Sequence, residues 1–128
     1  MTTVTRSSRV VSDHFEPEAT RDPLEARKLK VYLEQIDYAA FAANREVVGQ
    51  TIGRTDLSKF KHLAIATAQA RARWVAAAIA ATSGGAALTP DQSNQLAVLR
   101  RAFEELSEAY EAMRRMVERG YLVYYPGA

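Results

Sequence analysis

Two segments of this chain carry apolar residues at unbroken alternating intervals of three and four, and that spacing limits the fold more than any other feature. The first is Leu29, Leu33, Ile36, Ala40, Ala43 and Val47; the second is Leu96, Leu99, Phe103, Leu106, Tyr110, Met113 and Val117. At 3.6 residues per turn, such spacing draws one narrow apolar stripe down one side of a helix, the pattern of bundles and coiled coils. Between them Leu57, Phe60, Leu63, Thr67, Ala70, Trp74, Ala77 and Ala81 repeat the same period. Alanine dominates that face, so neighbouring helices can approach closely, and Trp74 is its one bulky anchor.

Capping residues mark the ends. Asp22 suits an N-cap, Pro23 the first helical position and Glu25 the third, so a first helix is expected over about 23–48 with Gly49 as its left-handed cap. Gly53 is a second breaker. A second helix is expected over about 56–82, stopped by Ser83, Gly84 and Gly85. Thr89, Pro90, Asp91 and Gln92 spell a capping box, and the period then runs to the end of a third helix over about 90–119. Arg114, Arg115 and Arg119 lie near that helix's negative pole, and Gly120 follows it. Each helix would span roughly 40 Å at 1.5 Å per residue. Short connections make consecutive helices antiparallel neighbours. The expected fold is therefore all-α: an up-down-up antiparallel three-helix bundle over 22–128, the two stripes forming outer walls around the alanine-rich middle helix.

Residues 1–21 read as a flexible N-terminal arm, with Val10, Val11 and Phe15 as a short apolar patch. The tail, 121–128, reads Tyr-Leu-Val-Tyr-Tyr-Pro-Gly-Ala and is too aromatic for a solvated end. It is expected to fold back on the bundle or to contact a partner.

The chain carries little that signals chemistry. It has no cysteine, which removes disulfides, thiolate metal sites and thiol catalysis. No nucleophile-elbow, P-loop or dinucleotide fingerprint occurs. His62 is followed at the third position by Ile65, not by the lysine of a phosphotransfer histidine, and no glycine sits beside it. Neither His14 nor His62 has the Glu-x-x-His spacing of bundle metal sites. Glu104, Glu105, Glu108 and Glu111 interleave with Arg100, Arg101, Arg114 and Arg115, which reads as a solvated face with pairs such as Glu111–Arg115. No cofactor and no enzymatic activity are expected. Met1–Arg21 has no signal-peptide core, and Trp74–Ala81 is far shorter than the roughly 18 apolar residues of a membrane span, so the chain is expected in the cytoplasm, away from membranes.

Charge is unevenly placed. Gly49–Leu88 holds five basic residues, Arg54, Lys59, Lys61, Arg71 and Arg73, against the single acid Asp56, a balance of +4. The whole chain is +2, so the remainder is −2. These five are the candidate contacts of an alternative reading, binding to nucleic acid or another anion. They are scattered around the helix and lack interleaved aromatics for base stacking. A further alternative is a small anionic ligand held near Arg71 and Trp74.

Self-association is the leading expectation. Val31, Tyr32, Tyr38 and Phe41 on the first helix, and Ile65, Val75 and Ile79 on the second, lie off the main stripes. A second apolar face needs a cover. The chain is expected to be a helical protein–protein interaction module, an adaptor, regulator or assembly subunit, that binds itself, most simply as a two-fold dimer, or another protein. Its candidate contact residues are Tyr32, Tyr38, Phe41, Tyr121, Tyr124 and Tyr125.

Overall fold

The computed structural model describes residues 22–127, and it is all-α in class. Three helices, α1 (Pro23–Ile52), α2 (Leu57–Thr82) and α3 (Pro90–Glu118), hold most of these residues. Two-residue strands, β1 (Thr55–Asp56) and β2 (Tyr124–Tyr125), complete the order. The expectations placed on residues 1–21, including the patch at Val10, Val11 and Phe15 and the lone His14, lie outside the described residues. The chain divides into two compact units at a boundary inside α1, one ending at Ala40 and the other beginning at Phe41.

In the first unit α1 starts as its residues dictate. The Asp22 carboxylate accepts from the Leu24 amide at 3.1 Å, and the Asp22 carbonyl from the Ala26 amide at 2.9 Å. Asp22 and every residue of α1 up to Ala40 are exposed. The stripe residue Ile36 is 61% accessible, and Tyr38 is 70% accessible.

The second unit is organised around α2 and α3, the pair of helices with extensive mutual contact. They run antiparallel: Phe60 meets Tyr110 edge-on at 5.7 Å, and Trp74 stacks on Phe103 at 5.8 Å. The facing residues are those of the α3 stripe and of the alanine-rich row on α2. Ala70 and Met113 are buried, and Leu63, Thr67, Trp74, Leu99, Phe103 and Leu106 are half-buried. The α3 N-terminus is the expected capping box, with Thr89 Oγ1 accepting from the Gln92 amide at 3.1 Å and Gln92 Oε1 from the Thr89 amide at 2.9 Å.

Three boundaries differ from expectation. The helix α1 runs through Gly49 to Ile52, because the Gly53 amide continues the ladder onto the Gly49 carbonyl at 2.8 Å. The left-handed turn falls on Gly53, at φ 77°. Lys59 Nζ donates to the Ile52 carbonyl at 2.7 Å, satisfying one of the carbonyls that a helix end leaves open. A lysine seven residues ahead therefore moves the stop that glycine alone would have set. The Asp56 carboxylate caps α2 from outside it, accepting from the Lys59 amide at 3.4 Å, so that helix starts at Leu57. At its other end α3 stops one residue before the expected Arg119, which forms the C-cap.

The tail returns to its own chain. Gly120, at φ 80°, turns it, and the Tyr121 and Leu122 amides donate to the Met116 carbonyl at 2.8 and 3.2 Å. Leu122 is then buried at 3% accessibility. Beyond it Tyr124 and Tyr125 pair in parallel with Thr55 and Asp56. Thr55, which is fully buried, keeps its hydroxyl bonded to the Gly53 carbonyl at 3.3 Å.

Candidate functional site

The last third of α1 divides its faces. On one, Phe41 tilts against Tyr121 at 5.9 Å and Arg45 Nη1 donates to the Gly120 carbonyl at 2.9 Å. Val48 and Ile52, half-buried, continue that face at helical spacing. Val47 belongs to the 29–47 stripe and lies on the other side, 58% accessible. The face that α1 turns to its own tail is thus not the face that carries the stripe.

A similar division occurs on α2. Its α3-facing stripe is covered, but Ile65, Val75 and Ile79 are exposed, Ile79 at 63%. With Ala68 and Ala72 they make a second 3-4-3-4 row, 65-68-72-75-79, roughly opposite the first. Sequence inspection picks out the three large residues; the two alanines that complete the row are easy to pass over in an alanine-rich helix.

An apolar concavity lies beside the α2–α3 seam. It is an open groove of about 590 Å³ lined by Ile52, Lys59, His62, Leu63, Ala109, Ala112, Met113 and Met116. Its floor is alanine, leucine and methionine, and its α2 rim is basic. On α3 its wall follows the line Ala109, Ala112 and Met116, at 3-4 spacing beside the main stripe. That second line was the available sequence signal.

The six aromatics expected at a partner contact separate into two groups. Tyr32 and Tyr38 stand exposed on α1 in the first unit. The other four are engaged within their own chain. Phe41 meets Tyr121, Tyr124 lies 6.2 Å from the Phe60 ring, and Tyr125 lies 4.0 Å beneath the Arg54 guanidinium.

The basic residues are also partly occupied. Arg54 is over Tyr125, Lys59 bonds the Ile52 carbonyl, and Arg71 sits 4.9 Å over the Phe103 ring. Lys61 and Arg73 are exposed. They are two residues of a helix, not a row for a phosphate backbone. A depression of about 270 Å³ beside Arg71 is lined by Ala64, Thr67, Ala68, Ser107, Tyr110 and Glu111. Trp74 does not line it, being stacked on Phe103, and Glu111 puts an acid at the place where an anion would bind. Among the described residues the one ion pair is Arg100–Glu104 at 3.9 Å, rather than the expected Glu111–Arg115. Both its side chains are well exposed, so it contributes little.

Among the described residues no cluster of three or more potential metal ligands occurs, and no helix is long and apolar enough to cross a membrane. Comparison with protein-family models, curated proteins and solved structures finds no match to this chain.

Proposed function

We propose that this chain is a non-enzymatic helical interaction module, an adaptor, regulator or assembly subunit of the cytoplasm, whose partner is a second copy of itself. One observation carries the reading: the 29–47 stripe of α1, as regular as the stripes that α2 and α3 bury against each other, is exposed along its large residues Leu29, Leu33, Ile36 and Val47. Only Ala70, Met113 and Leu122 are buried apolar residues among those described. A chain of this length ordinarily buries a far larger core, and contiguous exposed apolar surface marks an association site. The third wall of the up-down-up bundle belongs to this reading. In it α1 completes a three-helix arrangement with α2 and α3 within the assembly.

Multi-angle light scattering on the full chain, over a range of micromolar concentrations, tests the reading. Twice the chain mass is expected, with dissociation on dilution. A clean monomer at every concentration overturns it. Ile36→Glu is expected to shift the dimer toward monomer while leaving the far-ultraviolet helix signal in place.

A further inference from the structure

We infer that the groove beside the α2–α3 seam is the seat for α1 of the partner copy, with Leu33 and Ile36 of that helix as its anchors. The inference rests on the self-association proposed above and names the two surfaces that meet.

Shape and polarity agree first. The groove is concave and apolar, with Leu63, Ala109, Ala112, Met113 and Met116 among its lining residues. The alanines leave room for large side chains, and Leu33 and Ile36, three apart on one helix face, are the anchors a helix presents to such a groove. The outward row of α2, 65-68-72-75-79, is the competing surface. It lies on the convex side of a single helix, where a docked helix would touch one neighbour instead of two.

Charge then favours α1 as the occupant. Between Val31 and Asn44, α1 carries two acids, Glu34 and Asp37, and no base. Between Leu57 and Thr82, α2 carries Lys59, Lys61, Arg71 and Arg73 and no acid. The placement within each helix matters more. Glu34 and Asp37 follow Leu33 and Ile36 directly, so both acids fall on the same flank of the stripe. On its α2 wall the groove is lined by Lys59 and His62, one turn apart on a helix that carries no acid. A helix lying stripe-down in the groove has one orientation that sets its acidic flank against that wall. The same orientation turns Lys28 and Tyr32 toward the α3 wall of Ala109, Ala112 and Met116. Complementary flanks of this kind fix register and direction more than they add affinity.

Because the chain lacks cysteine, single cysteines report the pairing directly. Full-length Leu33→Cys and His62→Cys chains are mixed, allowed to exchange subunits, and treated with a short bismaleimide. The expected product is the mixed 33–62 dimer in excess of either like pair. A double-cysteine chain that cross-links within one molecule at a rate independent of dilution shows α1 closing on its own groove, and overturns the proposal. Like pairs alone, in a chain that scatters as a dimer, also overturn it while leaving self-association standing. A chain that scatters as a monomer removes both.

Substitutions give a second readout that does not depend on cross-linker reach. Ala109→Glu places an acid on the groove wall facing the partner's apolar stripe. It is expected to weaken dimerisation about tenfold or more with helix content unchanged. Val75→Glu, on the outward row of α2, is expected to leave the dimer intact. The reverse pattern, loss by Val75→Glu and none by Ala109→Glu, assigns the contact to the outward row and refutes the groove.

Discussion

Leu122→Ala probes the contact that closes the second unit. The residue is the most deeply buried apolar side chain described, at 3% accessibility, and lies in the tail that its aromatic content marks as packed rather than solvated. Its position is fixed by the turn at Gly120 and the bonds of two amides to the Met116 carbonyl. Truncation to alanine removes three carbon groups from a fully covered site. At about 0.8 kcal/mol per buried methylene, the transfer loss alone is a little over 2 kcal/mol. A cavity contribution adds to this where the surroundings cannot collapse. Here they can, because an open depression of about 310 Å³, lined by Arg45, Gly49, Gly53, Arg54, Tyr121, Val123 and Tyr125, borders the site and admits water. The expected loss is therefore roughly 2–3 kcal/mol, the low end of the range for buried leucines. Urea unfolding followed by far-ultraviolet circular dichroism measures it, with chain concentration held fixed so that any self-association contributes equally to wild type and variant. The denaturant slope should stay near the wild-type value. A loss under about 0.5 kcal/mol, the size of an ordinary surface substitution, would show that the tail is not part of the folded unit.

Other predictions separate roles that look alike in sequence. Gly49→Ala should stabilise the chain by roughly 0.5–1 kcal/mol, since Gly49 is inside a helix with nothing within 4 Å of an added Cβ. Gly120→Ala should cost about 1–2 kcal/mol for its left-handed backbone, as the new Cβ would meet only ordinary contact with Phe41 at 3.5 Å. Equal signs in thermal melts of the two variants would refute the placement of the α1 end. Lys59→Met should lower stability by roughly 1–2 kcal/mol through loss of the charged bond to Ile52, read by urea unfolding; a fully neutral result would return Lys59 to the pool of free cations. Phe103→Ala should cost roughly 2 kcal/mol, because the ring is half-buried, and should shift Trp74 emission to the red. An unshifted spectrum would mean that the two rings do not stack.

The helices were legible because each carries its own stop and start. Asp22-Pro23, Thr89-Pro90 with Gln92, and Gly120 act within a turn of the helix ends they set. The pairing of the α2 and α3 faces was legible for the same reason: Leu63, Ala70, Trp74 and Leu99, Phe103, Met113 mark one face of each helix, and a short connection makes those helices neighbours. The bonds that span long separations were not. Arg45 reaches Gly120, and Thr55 pairs with Tyr124, through contacts that neither residue's neighbourhood announces. The end of α1 was misplaced because Lys59, beyond the glycine, satisfies the Ile52 carbonyl. Aromatic content placed Tyr121, Tyr124 and Tyr125 among partner contacts, yet the same bulk that suits an interface also suits closing one's own chain.

The stripes of α1 and α3 are equally regular, but regularity marks only a face suited to burial, not what covers it. For α3 the protector is α2, identified by Trp74 on Phe103 and Phe60 on Tyr110. For α1 the face that meets its own tail is set by Phe41, Arg45 and Ile52, and those residues break the 3-4 rhythm of Leu29 to Val47. The helix thus keeps one row for its own chain and leaves a second, more regular row exposed, and the proposed self-association rests on that second row. Of the off-stripe residues of α1, Phe41 meets the tail at Tyr121, whereas Tyr32 and Tyr38 stand exposed, and under the proposed reading the stripe is the surface that associates.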